Sequence, residues 1–162
     1  MQPTHRVVHL ALVALLAVTA SAVPTLSAKD WPQWRGAERL GLWTETGILE
    51  EFPEEGLTVK WRVPVNGGYS GPAVADGRVF VLDYLETEPR TMDGTERLIA
   101  LDEETGEILW THEWHTTYRM LMFTYATGPR ATPTVDGDRV YLAGSTGRIL
   151  CLDVESGAVV WE

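Results

Sequence analysis

The sequence has a single cysteine and few basic residues, and both shortages exclude classes of function. Cys151 alone cannot form an intrachain disulfide, and it excludes zinc sites that need paired cysteines. Its neighbours Leu150 and Leu152 indicate a small buried residue rather than a nucleophile. The chain carries 13 Lys and Arg against 23 Asp and Glu, which gives a formal net charge of −10 over 162 residues. Because such an acidic chain repels phosphate backbones, we expect no nucleic-acid partner.

The one long apolar run stands at the N-terminus, and it is short for a membrane span. It extends over the 14 residues from Val7 to Ala20, whereas a transmembrane helix needs roughly 20. Arg6 precedes the run and small residues follow it, as in an export signal. Cleavage fits best after Ala28, with Ala22 as the second site and an uncleaved anchor as the alternative. We therefore expect a signal peptide at residues 1–28 and a periplasmic or secreted protein that has no membrane span after cleavage. Because no cysteine is near either cleavage site, we do not expect a lipoprotein.

A repeated segment decides the fold prediction. Residues 71–82 align with residues 132–143 at an offset of 61, and residues 98–110 align with residues 149–161 at an offset of 51. The first copy therefore holds ten additional residues between Leu82 and Leu98, and their composition predicts a loop. A partial third copy precedes these, with its last strand ending in a tryptophan. The recurrent tryptophans are Trp61, Trp110 and Trp161.

Each copy is typical of four short antiparallel strands. Strand and turn residues alternate over short distances, and no helical periodicity is present. In the first copy, Asp76-Gly77 predicts a tight turn, and residues 102–106 predict the turn before the last strand. The predicted strands of this copy are residues 72–75, 78–82, 98–101 and 107–110. A single four-stranded sheet cannot bury both faces, so we predict all-β blades stacked as in a β-propeller, with the tryptophans bridging adjacent blades.

The last turn and strand of each copy carry a recognisable motif. Residues 101–110, LDEETGEILW, resemble the repeat signature A-L-D-x-x-T-G-x-x-x-W of the quinoprotein-like (PQQ-like) β-propeller family, and residues 152–161 match it with Ser in place of Thr. Residues 30–36 and 128–133 resemble segments of exported members from planctomycete-like bacteria. The structural repeat positions are Trp61, Asp102, Gly106, Trp110, Asp153, Gly157 and Trp161.

The resemblance implies a propeller of about seven or eight blades, of which this chain would be an N-terminal fragment with about two. The predicted organisation is the signal peptide at residues 1–28, an N-terminal segment at 29–66, and repeats over 67–162 with blades at about 69–114 and 129–162. In closed relatives an N-terminal strand completes the last blade. The strand ending at Trp61 is suited to that position.

The resemblance leaves the function open, because the family hosts several roles. Its quinone-dependent dehydrogenases combine an adjacent-cysteine disulfide over the PQQ cofactor with a calcium site and a catalytic Asp. This chain has no cysteine pair, so we assign no catalytic residue and no cofactor. His112 and His115 would point to opposite faces of a strand, and we predict no metal site there. Asp83, Glu86 and Glu88 are interpreted as a loose acidic loop whose spacing matches no calcium loop.

The connection between the two copies is the most distinctive remaining feature. Trp110 and Pro133 are 23 residues apart, whereas Trp61 and Pro72 are 11 apart. The additional residues are rich in aromatics and lie where a propeller has one of its mouths. Packing over the blades is the leading interpretation of this connection. The alternative is a ligand-binding site there, and its candidate residues are Tyr69, Tyr118 and Arg130.

The leading hypothesis is an exported, non-catalytic binding or scaffolding module that contacts a protein or small ligand at the propeller rim. It resembles propellers that assist outer-membrane protein assembly. A part of a PQQ-dependent dehydrogenase is the alternative, and a sensor or carbohydrate-binding propeller is a third hypothesis.

Overall fold

The computed structural model describes residues 28–118 and 127–162. Apart from Ala28, the export signal predicted for residues 1–28 lies outside these residues. The described residues form eight β-strands and no helix, and so contain no helix that could cross a membrane. The strands are β1 (Ala73–Ala75), β2 (Arg78–Glu86), β3 (Asp93–Asp102), β4 (Ile108–Thr117), β5 (Thr134–Asp136), β6 (Arg139–Ala143), β7 (Ile149–Asp153) and β8 (Val159–Trp161).

The strands form two antiparallel four-stranded sheets, in the orders β1-β2-β3-β4 and β5-β6-β7-β8. Each sheet is a meander in which every strand pairs with its neighbour in sequence, so each is one propeller blade. The first hairpin turns at Asp76-Gly77, and both residues have positive φ, at 49° and 72°. A two-residue turn of that kind matches the twist of the flanking strands. The predicted all-β fold with four-stranded antiparallel blades is confirmed.

The ten additional residues of the first copy lengthen a hairpin, and the prediction of a loop there is wrong for most of them. β2 continues to Glu86 and β3 begins at Asp93, with Glu86 paired to Gly94. Leu82 and Tyr84 share one face of the strand and are buried, whereas on the other face Asp83 is buried and Leu85 is 49% exposed. Only residues 87–92 connect the two strands. β4 is likewise longer than predicted.

The turn before the last strand of each blade is closed by its aspartate. In the first blade, Asp102 Oδ1 accepts hydrogen bonds from the Thr105 hydroxyl at 2.8 Å and from the Thr105 N–H at 2.8 Å. These bonds lower the pKa of Asp102 below its usual value. In the second blade, Asp153 Oδ1 likewise accepts hydrogen bonds from the Ser156 hydroxyl at 2.7 Å and from the Ser156 N–H at 2.9 Å. The motif therefore needs a hydroxyl three residues after the aspartate.

Two of the recurrent tryptophans, Trp61 and Trp110, pack against a turn glycine in the blade that follows them in the sequence. A Cβ added to Gly157 would lie 2.5 Å from the Trp110 ring, and the Trp110 indole N–H donates to the Val154 carbonyl at 3.0 Å. A Cβ on Gly106 would similarly lie 2.7 Å from the Trp61 ring. Gly157 and Gly106 have φ of 70° and 74°, a conformation that also favours glycine. The indole thus joins one blade to the next at a position where no other residue fits.

The hydrophobic core lies between the two sheets. Its members include Phe80, Leu98, Ala100, Val140, Leu142, Leu150 and Leu152. Trp110 packs against its edge, with its ring centroid 5.9 Å from that of Phe80. Cys151 is 1% exposed in β7, as expected for a small buried residue. Because residues from both blades build this one core, the blades stabilise each other.

The N-terminal segment runs along the first strands of both blades. Trp31 forms an antiparallel bridge with Val74 of β1, and Pro32 accepts a hydrogen bond from the Val135 N–H of β5 at 2.8 Å. The predicted strand ending at Trp61 is not formed among the described residues, since no hydrogen-bonded neighbouring strand lies beside it. That it closes a last blade stays a prediction.

The contact between Trp110 and Gly157 predicts a specific loss of stability. Gly157→Ala should lower the free energy of unfolding by about 2 kcal/mol more than Gly77→Ala does. Gly77 has φ of 72° and nothing within 4 Å of an added Cβ, so it shares the backbone strain but not the indole. Urea unfolding followed by far-UV circular dichroism measures both variants. Equal losses would show that the indole contact is unimportant.

Candidate functional site

Two of the predicted site residues meet at the surface where the blades begin. Tyr69 precedes β1 and Arg130 precedes β5, and the Arg130 guanidinium carbon lies 5.1 Å from the centroid of the Tyr69 ring. This is a cation–π distance. The Tyr69 N–H donates to the Pro129 carbonyl at 2.8 Å, and Tyr69 is 54% exposed. We call Tyr69 and Arg130 the mouth pair.

Glycines allow the two loops that carry the mouth pair to touch. A Cβ on Gly128, whose φ is 121°, would lie 2.6 Å from the Gly67 carbonyl oxygen and 2.6 Å from the Gly68 Cα. The Ser70 hydroxyl adds a hydrogen bond to the Ala131 carbonyl at 2.9 Å. The backbones therefore fix the mouth pair directly, without long side chains between them.

Tyr118, the third predicted residue, lies in a buried cluster and not beside the mouth pair. It is 4% exposed, and its ring centroid is 4.6 Å from that of Tyr84. Its hydroxyl donates to Glu96 at 2.5 Å. The structure thus brings Tyr69 and Arg130 together and places Tyr118 below the surface. Most of the aromatic connection after Tyr118 lies outside the described residues.

Glu96 is the central residue of this cluster, and the sequence analysis missed it. Its carboxylate is fully buried and accepts hydrogen bonds from the Tyr118 hydroxyl, from the Trp114 indole N–H at 3.0 Å and from the Ser145 N–H at 3.0 Å. Glu96 belongs to the first blade and Ser145 to the second, so the carboxylate joins the two blades. The sequence did carry a signal for its burial. Alternate side chains of a strand point to the same face, so Glu96 lies on the same face of β3 as the apolar Leu98.

One backbone carbonyl connects the Glu96 cluster with the mouth pair. The Gly128 oxygen accepts a hydrogen bond from the Ser145 hydroxyl at 3.2 Å and another from Arg130 at 3.3 Å. Ser145 and Arg130 are therefore joined through a shared acceptor. The Glu96 cluster supports the mouth pair from below.

Both buried phenols stay neutral near neutral pH. Burial, reinforced by Glu96, raises the pKa of Tyr118 far above its usual value. Burial, reinforced by Glu86 and Asp93, raises the pKa of Tyr84 to about 12. The Tyr84 hydroxyl has no hydrogen-bond partner among the described residues. Tyr118 can thus donate a hydrogen bond to Glu96 but cannot act as a base.

Asp83 is a buried ion-pair partner, and its assignment to a loose acidic loop is wrong. It lies in β2 at 1% exposure and accepts two hydrogen bonds from Arg97, at 2.8 Å and 2.6 Å. The Asn66 N–H and side-chain amide add bonds at 2.8 Å and 3.0 Å. Burial raises the pKa of Asp83, but the bonds from Arg97 and Asn66 outweigh burial and hold it below 3.8. Asp83 thereby anchors the chain just before the Gly67–Ser70 loop.

The described residues contain one buried cysteine and no cluster of metal-binding side chains. Cys151 is buried in β7, and the sequence provides no second cysteine to pair with it. Among residues 28–118 and 127–162, no group of three His, Cys, Asp or Glu side chains could hold a metal. Near the mouth, Asp83 and Glu96 are already engaged by protein donors. His115 bonds to Asp93 at 2.9 Å, on the opposite face of β4 from His112.

A comparison with known protein families identifies related sequences. A family profile described as outer membrane protein assembly factor BamB matches residues 54–162. Curated proteins of that name are similar over 90 residues, with 29% identity in Salmonella typhimurium and 28% in Escherichia coli. Each alignment covers 56% of this chain and 17% of the relative. The chain therefore spans about a sixth of the length of these curated relatives.

Solved structures show partial similarity as well. A europium-containing methanol dehydrogenase aligns with a TM-score of 0.45 and 22% identity, over 67% of this chain and 19% of that chain. The BamB protein of Moraxella catarrhalis aligns with a TM-score of 0.32 and 23% identity, over 60% of this chain and 33% of that chain. Both alignments cover a minor part of the solved protein.

The Glu96 cluster predicts different effects for two substitutions. Glu96→Leu should lower the free energy of unfolding by about 3 kcal/mol, because it leaves three buried donors without an acceptor. Glu96→Gln keeps one acceptor oxygen and should cost about 1 kcal/mol. Glu113→Leu, on the neighbouring strand with its side chain 54% exposed, is the control and should cost little. Urea unfolding measures all three, and similar losses for Glu96→Leu and Glu113→Leu would contradict the account.

The ion pair of Asp83 predicts a loss of stability in acid. Its pKa is lowered in the folded protein, so its contribution is complete above the unfolded pKa near 3.8 and is lost as the pH falls through the folded pKa. Between the two pKa values the free energy of unfolding should fall by up to about 1.4 kcal/mol per pH unit from this group. Urea unfolding from pH 6 downwards should show a steeper acid decline in the wild type than in Asp83→Asn. Parallel curves would refute this assignment.

Proposed function

Since the chain belongs to the family described as outer membrane protein assembly factor BamB, we propose that it is a non-catalytic binding and scaffolding propeller that acts outside the cytoplasm. The matched region, residues 54–162, contains both blades and the mouth pair. These relatives are named as assembly factors for outer membrane proteins, which supports a protein partner. The chain spans 17% of those relatives, so the partner of the whole protein is part of the proposal.

The mouth pair is the observation that carries this proposal. Tyrosine and arginine are enriched among the residues that dominate protein–protein binding energy. Arg130 bonds to a backbone carbonyl and forms no ion pair with a described residue, so its charge is available to a partner carboxylate. Tyr69 offers an exposed aromatic ring beside that charge. The pair suits a protein segment that presents an acidic side chain next to an apolar one.

The rigidity of the loops favours binding at this point. Gly67, Gly68 and Gly128 bring the backbones into direct contact, and the Glu96 cluster holds the second blade beneath them. A site that is already ordered loses less conformational entropy when a partner binds. The mouth pair is therefore preorganised for binding.

The protonation and pairing of the nearby groups argue against acid–base catalysis here. The Tyr84 and Tyr118 phenols are neutral, and the carboxylates of Asp83 and Glu96 are held by protein donors. A general base needs a free acceptor within reach of a substrate proton. These four groups therefore offer no general base at the proposed site.

Photo-crosslinking tests the proposed partner surface. p-Benzoylphenylalanine placed at Tyr69, in the protein expressed in its own host, should capture a discrete envelope protein that mass spectrometry can identify. The same group at Leu85, which is 49% exposed on β2, is the control for non-specific capture. Arg130→Ala should reduce capture at position 69 about 30-fold, equivalent to about 2 kcal/mol of binding energy.

Arg148→Ala removes another surface arginine, one that pairs with Glu162, and should leave capture unchanged. The proposal fails if positions 69 and 85 capture the same proteins, or if Arg130→Ala has no effect. Saturable binding of PQQ with Ca²⁺ to the purified protein, measured by calorimetry, would favour the dehydrogenase alternative instead.

A further inference from the structure

The N-terminal segment carries a pocket that is separate from the mouth pair. The pocket has a volume of about 170 Å³ and lies within residues 29–45. It is held against the blades through Trp31, whose N–H and carbonyl both bond to Val74 of β1, at 2.8 Å and 3.0 Å. The Val135 N–H of β5 bonds to the Pro32 carbonyl. The pocket is thus fixed to the first strands of both blades.

Two stacked indoles form the aromatic wall of the pocket. The rings of Trp31 and Trp43 have centroids 5.8 Å apart and planes inclined by 28°. Gly36, with φ of 80°, lies against Trp31, since an added Cβ would be 3.1 Å from the ring. Trp43 remains 63% exposed. Trp31 is therefore packed between backbone and indole, while a face of Trp43 is open.

The remaining lining combines hydrogen-bond donors with acceptors. Arg35 bonds to the Leu40 carbonyl at 3.1 Å, and neither Arg35 nor Glu38 forms an ion pair with a described residue. The Arg35 guanidinium has further N–H donors, and Glu38 can accept several hydrogen bonds. A ligand that carries hydroxyl groups can use both kinds of partner at once.

We propose that this pocket binds one neutral sugar ring of a glycan, stacked on Trp43. The C–H groups of a pyranose face carry partial positive charge, and they suit the negative face of an indole. The volume is below the roughly 300–1,000 Å³ of sites for drug-sized molecules, which fits a single ring. A polyanionic glycan is disfavoured by the net charge of −10.

An extended peptide is a poorer fit to the same place. Peptides that bind beside a sheet commonly add as a strand to its free edge. At β1 that edge already bonds to Trp31, which belongs to the pocket itself. Stacking and hydroxyl recognition therefore remain as the interactions that the pocket offers.

Nuclear magnetic resonance on the full 162-residue chain tests the proposal. The probes are four neutral hexasaccharides: cellohexaose, maltohexaose, mannohexaose and chitohexaose. At least one should shift the indole N–H signals of Trp43 and Trp31 with a dissociation constant of about 1 mM. Trp43→Ala should weaken that binding at least about tenfold, whereas Trp43→Phe should retain most of it.

Trp34→Ala is the matched control, because Trp34 is 68% exposed on the same segment but does not line this pocket. It should bind as the wild type does. The signal shifts in the wild type locate the site independently of any variant. The proposal is overturned if none of the four probes shifts Trp43 up to about 20 mM, if Trp34→Ala and Trp43→Ala weaken binding equally, or if adenosine binds more tightly than every hexasaccharide.

Discussion

The contact between an indole and a turn glycine is the interaction on which the rest of this structure depends. A four-stranded sheet exposes two faces, and one sheet alone cannot bury both of them. Trp110 bridges to the turn of the second blade, and only glycine leaves room for it at position 157. The indole N–H also satisfies the Val154 carbonyl, so the contact fixes an orientation as well as a distance. The contact lies at the edge of the core that the two sheets share.

The binding surface at the mouth is a consequence of that stacking. Once the blades are in register, Ser145 lies against Glu96, and Gly128 lies against Gly67. Those contacts bring Tyr69 and Arg130 together from positions about 60 residues apart, through short loops rather than long side chains. A propeller offers such sites wherever loops from adjacent blades meet, and its rigid strands lower the entropy cost of binding. The proposed scaffolding function uses this property of the fold.

Local signals in the sequence were sufficient to predict the blades, whereas contacts between distant segments were not. The Asp-Gly turns and the motif ending in Trp110 are local, because their hydrogen bonds join residues a few positions apart. The longer hairpin of β2 and β3 was missed because its acids and glycine resemble a loop until Gly94 is seen beneath the Tyr84 ring. Glu96 was missed because its buried donors come from another strand and another blade. The proximity of Tyr69 to Arg130 was predicted in outline, but the burial of Tyr118 depends on Glu96 and could not be read locally.

The most direct test of this account is the proton spectrum of Gly157 in the wild-type chain. An indole stacked on the glycine should shift one Gly157 Hα strongly upfield through its ring current, and nuclear Overhauser effects should connect that proton with the Trp110 ring. Gly77, at nearly the same φ but without a ring nearby, should show ordinary shifts. An ordinary Gly157 Hα shift with no contact to Trp110 would mean that the blades are not joined through this indole, and the arrangement of the mouth pair would lose its physical basis.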